Sequence, residues 1–335
     1  MLKEKIASDA ILDEAFAWVC EKRAHYHYNG DIWHLRRWWS EIKPELQYQL
    51  RSGTYRFREL RQIKGKDRIV EWWSSQDALV LKAISLVLAL HLKPHLSRRC
   101  FHLAGTGGLK GAVREVSQHL EEHSFVFRTD VKSYYASINH LQLMDMLRQY
   151  VQEDEVMALL WGYLRRYVCD GEKYLDITQG ISLGCPLSPL MGALFLKPLD
   201  DAMADLGCFY VRYMDDWVIL TPTRWKLRKA IKVVNHVLAG LRVEKHPDKT
   251  FIGRITRGFD FLGYWFSPGR VGVAKKTVER MMDKVTRQYA QGAEYVRIES
   301  YLTHWWCWVR SGMGGLLASW SLGVLMGDAV RCGGA

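Results

Sequence analysis

No two of the seven cysteines in these 335 residues stand as Cys-x-x-Cys. Cys20, Cys100, Cys169, Cys185, Cys208, Cys307 and Cys332 are scattered and odd in number, so they read as reduced thiols and exclude a disulfide or zinc framework. The opening Met-Leu-Lys-Glu-Lys lacks a secretory apolar core. The apolar run 79–92 contains Lys82 and is read as too short to span a bilayer. A cytoplasmic protein with no membrane partner is expected, and the apolar, Gly-rich tail 312–327 reads as a packed or loosely ordered terminus. Ala104-Gly105-Thr106-Gly107-Gly108-Leu109-Lys110-Gly111 lacks the Gly-Lys-Ser/Thr ending of a phosphate loop, which excludes a P-loop NTPase. No internal repeat or low-complexity linker divides the chain, so its lobes are expected to pack as one body. Acids are few beside bases, 36 against 47, and the net charge of +11 points to a polyanionic partner such as nucleic acid.

What is present is rich in rings: 14 Trp and 16 Tyr, mostly core, with some beside cations where they suit stacking on bases. Residues 1–50 carry apolar positions at helical spacing (Ile11, Ala15, Val19, then Ile32, Leu35, Trp38, Trp39, Ile42). Arg36, Arg37 and Lys43 among the tryptophans make either a face that tracks phosphates or a solvated basic side. From Gly53 the pattern alternates, and 55–70 reads as a β-hairpin turning at Lys64-Gly65 with cations near the turn. A periodic core helix follows over 77–92. The four glycines of 105–111 form either a turn that lets a template backbone pass or an ordinary loop.

Ser124-Phe125-Val126-Phe127-Arg128-Thr129-Asp130 is an apolar strand ending in an acid, with a helix expected from about His140 and helical structure over 141–170. Residues 179–190 are a Gly/Pro/Ser loop, then a helix to about 206. The centre of the chain is Phe209-Tyr210-Val211-Arg212-Tyr213-Met214-Asp215-Asp216-Trp217-Val218-Ile219-Leu220. Two β-prone runs flank two adjacent acids, so Met214-Asp215-Asp216 reads as the tight turn of a hairpin. Adjacent carboxylates repel unless a cation binds or one is protonated, which makes a metal site or a plain surface turn the alternatives. A helix over 225–241, a basic turn at 246–250, a strand at 258–266 and a basic helical region from 275 to about 310 complete the chain.

Taken in order, strand-Asp130, the Gly/Ser-Pro loop, Tyr213-Met214-Asp215-Asp216, Lys249-Thr250 and Phe261-Leu262-Gly263-Tyr264 resemble the bacterial reverse transcriptase family, of group II intron and retron type. The resemblance covers about residues 50 to 275. It implies an α+β right-hand polymerase fold with fingers, an antiparallel palm and a short helical thumb. The expected division is 1–52 helical, 53–270 fingers and palm, and 271–335 thumb and tail. It implies an RNA-directed DNA polymerase acting on an RNA template, a DNA or RNA primer and dNTPs, with a cognate non-coding RNA as a further partner. Asp130, Asp215 and Asp216 would bind two Mg²⁺ ions, with Mn²⁺ as the alternative. Lys249 would protonate the pyrophosphate, and Lys66, Arg68, Tyr135, Gly184 and Ser188 would contact the nucleotide, Tyr135 as a sugar gate. Phe261, Leu262, Gly263 and Tyr264 would hold the primer.

Two positions depart from the family pattern. The Gln-Gly expected four residues before Ser188-Pro189 is Leu183-Gly184 here, while Gln179-Gly180 lies four positions earlier; an insertion in the loop or replacement of the polar residue by Leu183 are the alternatives. Met214 stands where group II members more often have Ala. Beyond the palm there is no Cys/His endonuclease module and no later acidic cluster of an RNase H, so a stand-alone polymerase is expected, serving a mobile element, a retron-like system or antiphage defence. Untemplated or protein-primed synthesis by the same palm, and RNA binding with dispensable catalysis, are the competing functions.

Overall fold

The structure is a computed structural model and describes residues 1–64, 69–169 and 173–313. Four helices open the chain: α1 (Leu2–Ile6), α2 (Asp9–Lys22), α3 (Asp31–Arg37) and α4 (Trp39–Ser52). Their periodic apolar residues, among them Leu12, Val19, Ile32, Leu35 and Leu50, are buried as an amphipathic stripe requires. The cations of this region are used internally. Arg36 lies over Trp33 and donates to the Cys20 carbonyl, Arg37 lies over Trp38, and Lys43 pairs with Asp9 and Asp13. Acids thus meet the Lys43 charge, whereas Arg36 and Arg37 keep theirs beside the tryptophans, so both readings of this face stand.

Strands β1 (Leu60–Lys64) and β2 (Ile69–Trp72) form the expected hairpin, with Lys64 opposite Ile69. Lys66 and Arg68 lie outside the described residues. Helix α5 (Ser75–Leu92) starts at Ser74, whose hydroxyl accepts from the Asp77 N–H. By length and composition it could cross a membrane, contrary to expectation, and 61% of it is buried inside the protein. Its all-round apolarity is that of a central core helix. The glycine-rich segment is only half a loop. Gly105 and Gly107 take positive φ, and helix α6 (Gly108–Gln118) then starts, with Gly111 packed so closely on Phe101 that a Cβ would sit 3.2 Å from the ring.

Next come β3 (Phe125–Thr129), α7 (Tyr134–Ser137), α8 (His140–Arg148) and α9 (Asp154–Leu164), then β4 (Tyr167–Cys169) and β5 (Tyr174–Asp176). The stretch expected to be helical therefore ends in a strand, which pairs parallel with β1 in a small sheet of order β2-β1-β4-β5. Helices α10 (Ser188–Phe195) and α11 (Lys197–Asp205) replace one expected helix, the break falling just before Pro198. Strands β6 (Phe209–Tyr213) and β7 (Asp216–Thr221), helix α12 (Arg224–Gly240) and strand β8 (Phe251–Arg254) follow. Last are β9 (Phe259–Phe261), β10 (Tyr264–Ser267), β11 (Arg270–Val273), α13 (Lys275–Ala290) and α14 (Tyr295–Met313).

The palm is the antiparallel sheet β6-β7-β3-β8. Side chains alternate across it with period two. Phe127, Trp217 and Ile219 join the core formed with α10 and α12, whereas Val126, Val218 and Leu220 join a second core with α6, β9 and α14. Helices on both faces lock the sheet, and the small sheet and the α13–α14 pair flank it as fingers and thumb. This is the expected α+β right-hand arrangement.

Candidate active site

The palm register assembles the acids. Thr129 pairs with Trp217, so Asp130, one residue past β3, comes beside Asp216 at the start of β7. Tyr213 pairs with Asp216, which confines the hairpin turn to Met214 and Asp215. Asp216 thus belongs to the strand and not to the turn, as the ladder needs a partner for Tyr213.

Met214 takes φ 58°, a left-handed conformation that a residue with a Cβ seldom adopts. Its backbone is held at both ends. The Met214 N–H donates to Nδ1 of His102 at 2.9 Å, and its carbonyl accepts from Arg212 Nη1 at 2.9 Å. Arg212 is fully buried; it donates from Nε and Nη2 to Asp200 at 2.8 and 2.5 Å and from Nη2 to the Ala193 carbonyl. Tyr210 donates its hydroxyl to the same carboxylate. Burial, with the Arg212 charge beside it, pushes the His102 imidazole down to about 4, so the ring is neutral.

Asp130 Oδ1 and Asp216 Oδ1 are buried and have no hydrogen-bond partner. Lys249 Nζ occupies the other Asp130 oxygen at 2.5 Å, and Arg128 Nε lies 4.0 Å from Asp216 Oδ1. Burial pushes the Asp216 carboxyl up to about 7; Arg128 opposes this, and the charges of Asp130 and Asp215 add to it. Asp215 is raised too, by burial and by Asp130. The Asp130 charge thus bears on both of the other acids. Among the described residues no three His, Cys, Asp or Glu side chains close round one point as a finished metal cage. The donors nevertheless suit a hard divalent cation: two orphaned carboxylate oxygens, a third carboxylate alongside, and a lysine now balancing one of them.

The other expected residues divide. Tyr135 lies beside the turn, its hydroxyl 3.5 Å from Met214 Sδ, and burial and the Asp215 charge raise its phenol. Gly192 lets the ring lie close, since a Cβ there would stand 3.1 Å from Tyr135 Cε1. Gly184 takes φ 90° and faces Val70 of the fingers strand β2. Gln179 donates its amide to the Ser137 carbonyl, and Gly180 abuts Tyr135 and Ala136, so this pair braces the loop.

Three expectations need correction. Ser188 has no exposed surface; its hydroxyl is shared with Tyr163 and bonds the Ser182 carbonyl, which leaves it nothing for a nucleotide. Phe261 and Tyr264 are fully buried, with Tyr264 donating to the Trp308 carbonyl. Their hairpin exists, but what reaches the surface is its Leu262-Gly263 turn, at φ 49° and 85°, with Asp260 and Trp265 on the outward face of its strands. Even there the Gly263 carbonyl accepts from Ala274 N and Thr277 Oγ1, tying the turn to the thumb. His102, Asp200 and Arg128 were not expected at the site. An arginine amid the apolar strand 209–213 was the one local signal of the buried pair.

A family model described as reverse transcriptase (RNA-dependent DNA polymerase) matches residues 66–266. Protein YkfC of Escherichia coli (strain K12) is 21% identical over 264 residues, covering 65% of this chain and 69% of that protein. The group II intron-encoded protein LtrA of Lactococcus lactis subsp. cremoris is 21% identical over 211 residues. That match spans 61% of this chain but only 35% of LtrA. Among solved structures, telomerase from Candida albicans in complex with the TWJ fragment of telomeric RNA aligns over 65% of this chain and 45% of its own. Its TM-score is 0.53 at 13% identity, a likeness of fold alone.

Proposed function

Since this chain belongs to the reverse transcriptase (RNA-dependent DNA polymerase) family, we propose that it extends a primer 3′ end with dNTPs on an RNA template, in the cytoplasm and as an element-encoded enzyme. The observation that carries the reading is the pair of orphaned oxygens on Asp130 and Asp216, beside Asp215 on the turn. Bound Mg²⁺ ions would neutralise triphosphate charge and make the primer hydroxyl a better nucleophile. Asp130 and Asp215 would hold them, with Asp216 completing the carboxylate cluster. Lys249, whose ammonium lies 2.5 Å from Asp130 Oδ2, is the group on hand that would give a proton to the departing pyrophosphate. The rigid palm orients these groups, which is the main contribution a protein makes to phosphoryl transfer.

The test is extension of an annealed DNA primer on an RNA template by the purified protein with Mg²⁺ and dNTPs. Growth to the template end, abolished by EDTA, is expected. Growth without template would favour untemplated synthesis, and RNA binding with no growth would favour a binding protein. The sugar gate has its own check. Tyr135→Ala removes the ring that would crowd a ribose 2′-hydroxyl, so the preference for dNTPs over rNTPs is expected to fall by about tenfold or more. An unchanged ratio of the two kcat/KM values would reject Tyr135 as the gate.

A further inference from the structure

We infer that His102 is a positioning residue, whose Nδ1 holds the Met214 N–H and thereby sets the turn that carries Asp215. The inference rests on the polymerase reading only for its kinetic arm. Met214 needs external support because it is a non-glycine residue at φ 58°. Its carbonyl is held by Arg212, from within the same hairpin, and its thioether lies against Tyr135. His102 holds the Met214 N–H from another part of the chain, 112 residues away in sequence.

The opposite ring nitrogen adds a second link. His102 Nε2 lies 3.1 Å from the Pro189 carbonyl, in the first turn of α10. Because the Met214 N–H must donate to Nδ1, the ring proton sits on Nε2 and donates to Pro189. Cys100 Sγ, 3.3 Å from Nδ1, is the ring's other polar neighbour. Residues 99–101 are in turn fixed along β6, where Arg212 N donates to the Arg99 carbonyl and Phe101 N to the Arg212 carbonyl. One neutral imidazole thus spans the Ser188-Pro189 helix start and the acidic turn. If the Nδ1 bond shifts, the turn that carries Asp215 shifts with it.

Two substitutions separate the two nitrogens. In His102→Asn the side-chain oxygen hangs from Cγ as Nδ1 does, and keeps an acceptor for Met214 while losing Pro189. In His102→Gln the amide reaches one atom further, and keeps a donor for Pro189 while losing Met214. A merely structural role would affect both alike, since each loses one hydrogen bond of similar worth. The proposal expects His102→Asn to keep kcat within roughly threefold of wild type, and His102→Gln to lose roughly tenfold or more with little change in the dNTP KM. The second readout needs no turnover: Mn²⁺ titration followed by electron paramagnetic resonance. Affinity is expected to weaken in His102→Gln and to hold in His102→Asn. The proposal is overturned if His102→Gln matches wild type in both readouts, or if His102→Asn falls as far as His102→Gln. Absence of primer extension by the wild type would instead remove the polymerase reading, and the Mn²⁺ comparison would still decide the role of His102.

Discussion

Asp215→Asn is expected to lower nucleotide addition by about a thousandfold or more, the rate equivalent of the several kcal/mol that metal-held charge contributes. The same change is expected to make the protein more resistant to urea in the absence of divalent cations. The two effects share one cause. Asp215 sits partly buried beside Asp130, and its raised pKa means that its ionised form is disfavoured in the fold relative to the open chain. Removing that charge relieves repulsion and removes a cation ligand at once. RNA affinity, set by phosphate contacts elsewhere, is expected to stay within about twofold. Extension rate, urea midpoint and RNA binding of the two proteins check this. A variant that loses activity and also unfolds more readily would mean that Asp215 is structural.

The largest stability effect is expected at Asp200. This carboxylate and Arg212 are both without exposed side-chain surface, joined by two hydrogen bonds, with Tyr210 donating a third. Asp200→Ala leaves the guanidinium buried without its counter-ion, and breaking such a pair costs about 3–5 kcal/mol. Replacing both members differs from removing one: Asp200→Ala with Arg212→Met is expected to be less destabilised than Asp200→Ala alone, because no charge stays buried. Both would lose activity, since Arg212 also holds the Met214 carbonyl. Urea unfolding of the three proteins measures the difference. A cost under about 1 kcal/mol for Asp200→Ala would mean that solvent reaches the arginine.

The palm was legible where local pattern and final contacts agree. Two apolar runs around Met214-Asp215 form the β6–β7 hairpin, and the acid closing 124–130 stands beside it, because strand pairing acts on period-two patterns written in the sequence. Which acid occupies the turn was not legible. Register alone decides that, and the Tyr213–Asp216 pair puts one acid in the ladder. Glycine density concealed α6, whose entry takes left-handed glycines and whose Gly111 packs closely on Phe101. The family resemblance named Ser188, Phe261 and Tyr264 as contacts by type. Burial gives their side chains to the core, since Phe-Asp-Phe alternation turns both rings of β9 inward. His102 carried no local signal. Its significance comes from a partner distant in sequence, and only the folded chain brings the two together.

The most direct measurement is incorporation of one dNTP at a time opposite each of the four RNA template bases, with an annealed DNA primer and Mg²⁺. The account predicts that the complementary dNTP is added in every case, at least about a hundredfold faster than the other three. Equal addition of all four, or addition that ignores the template base, would contradict it.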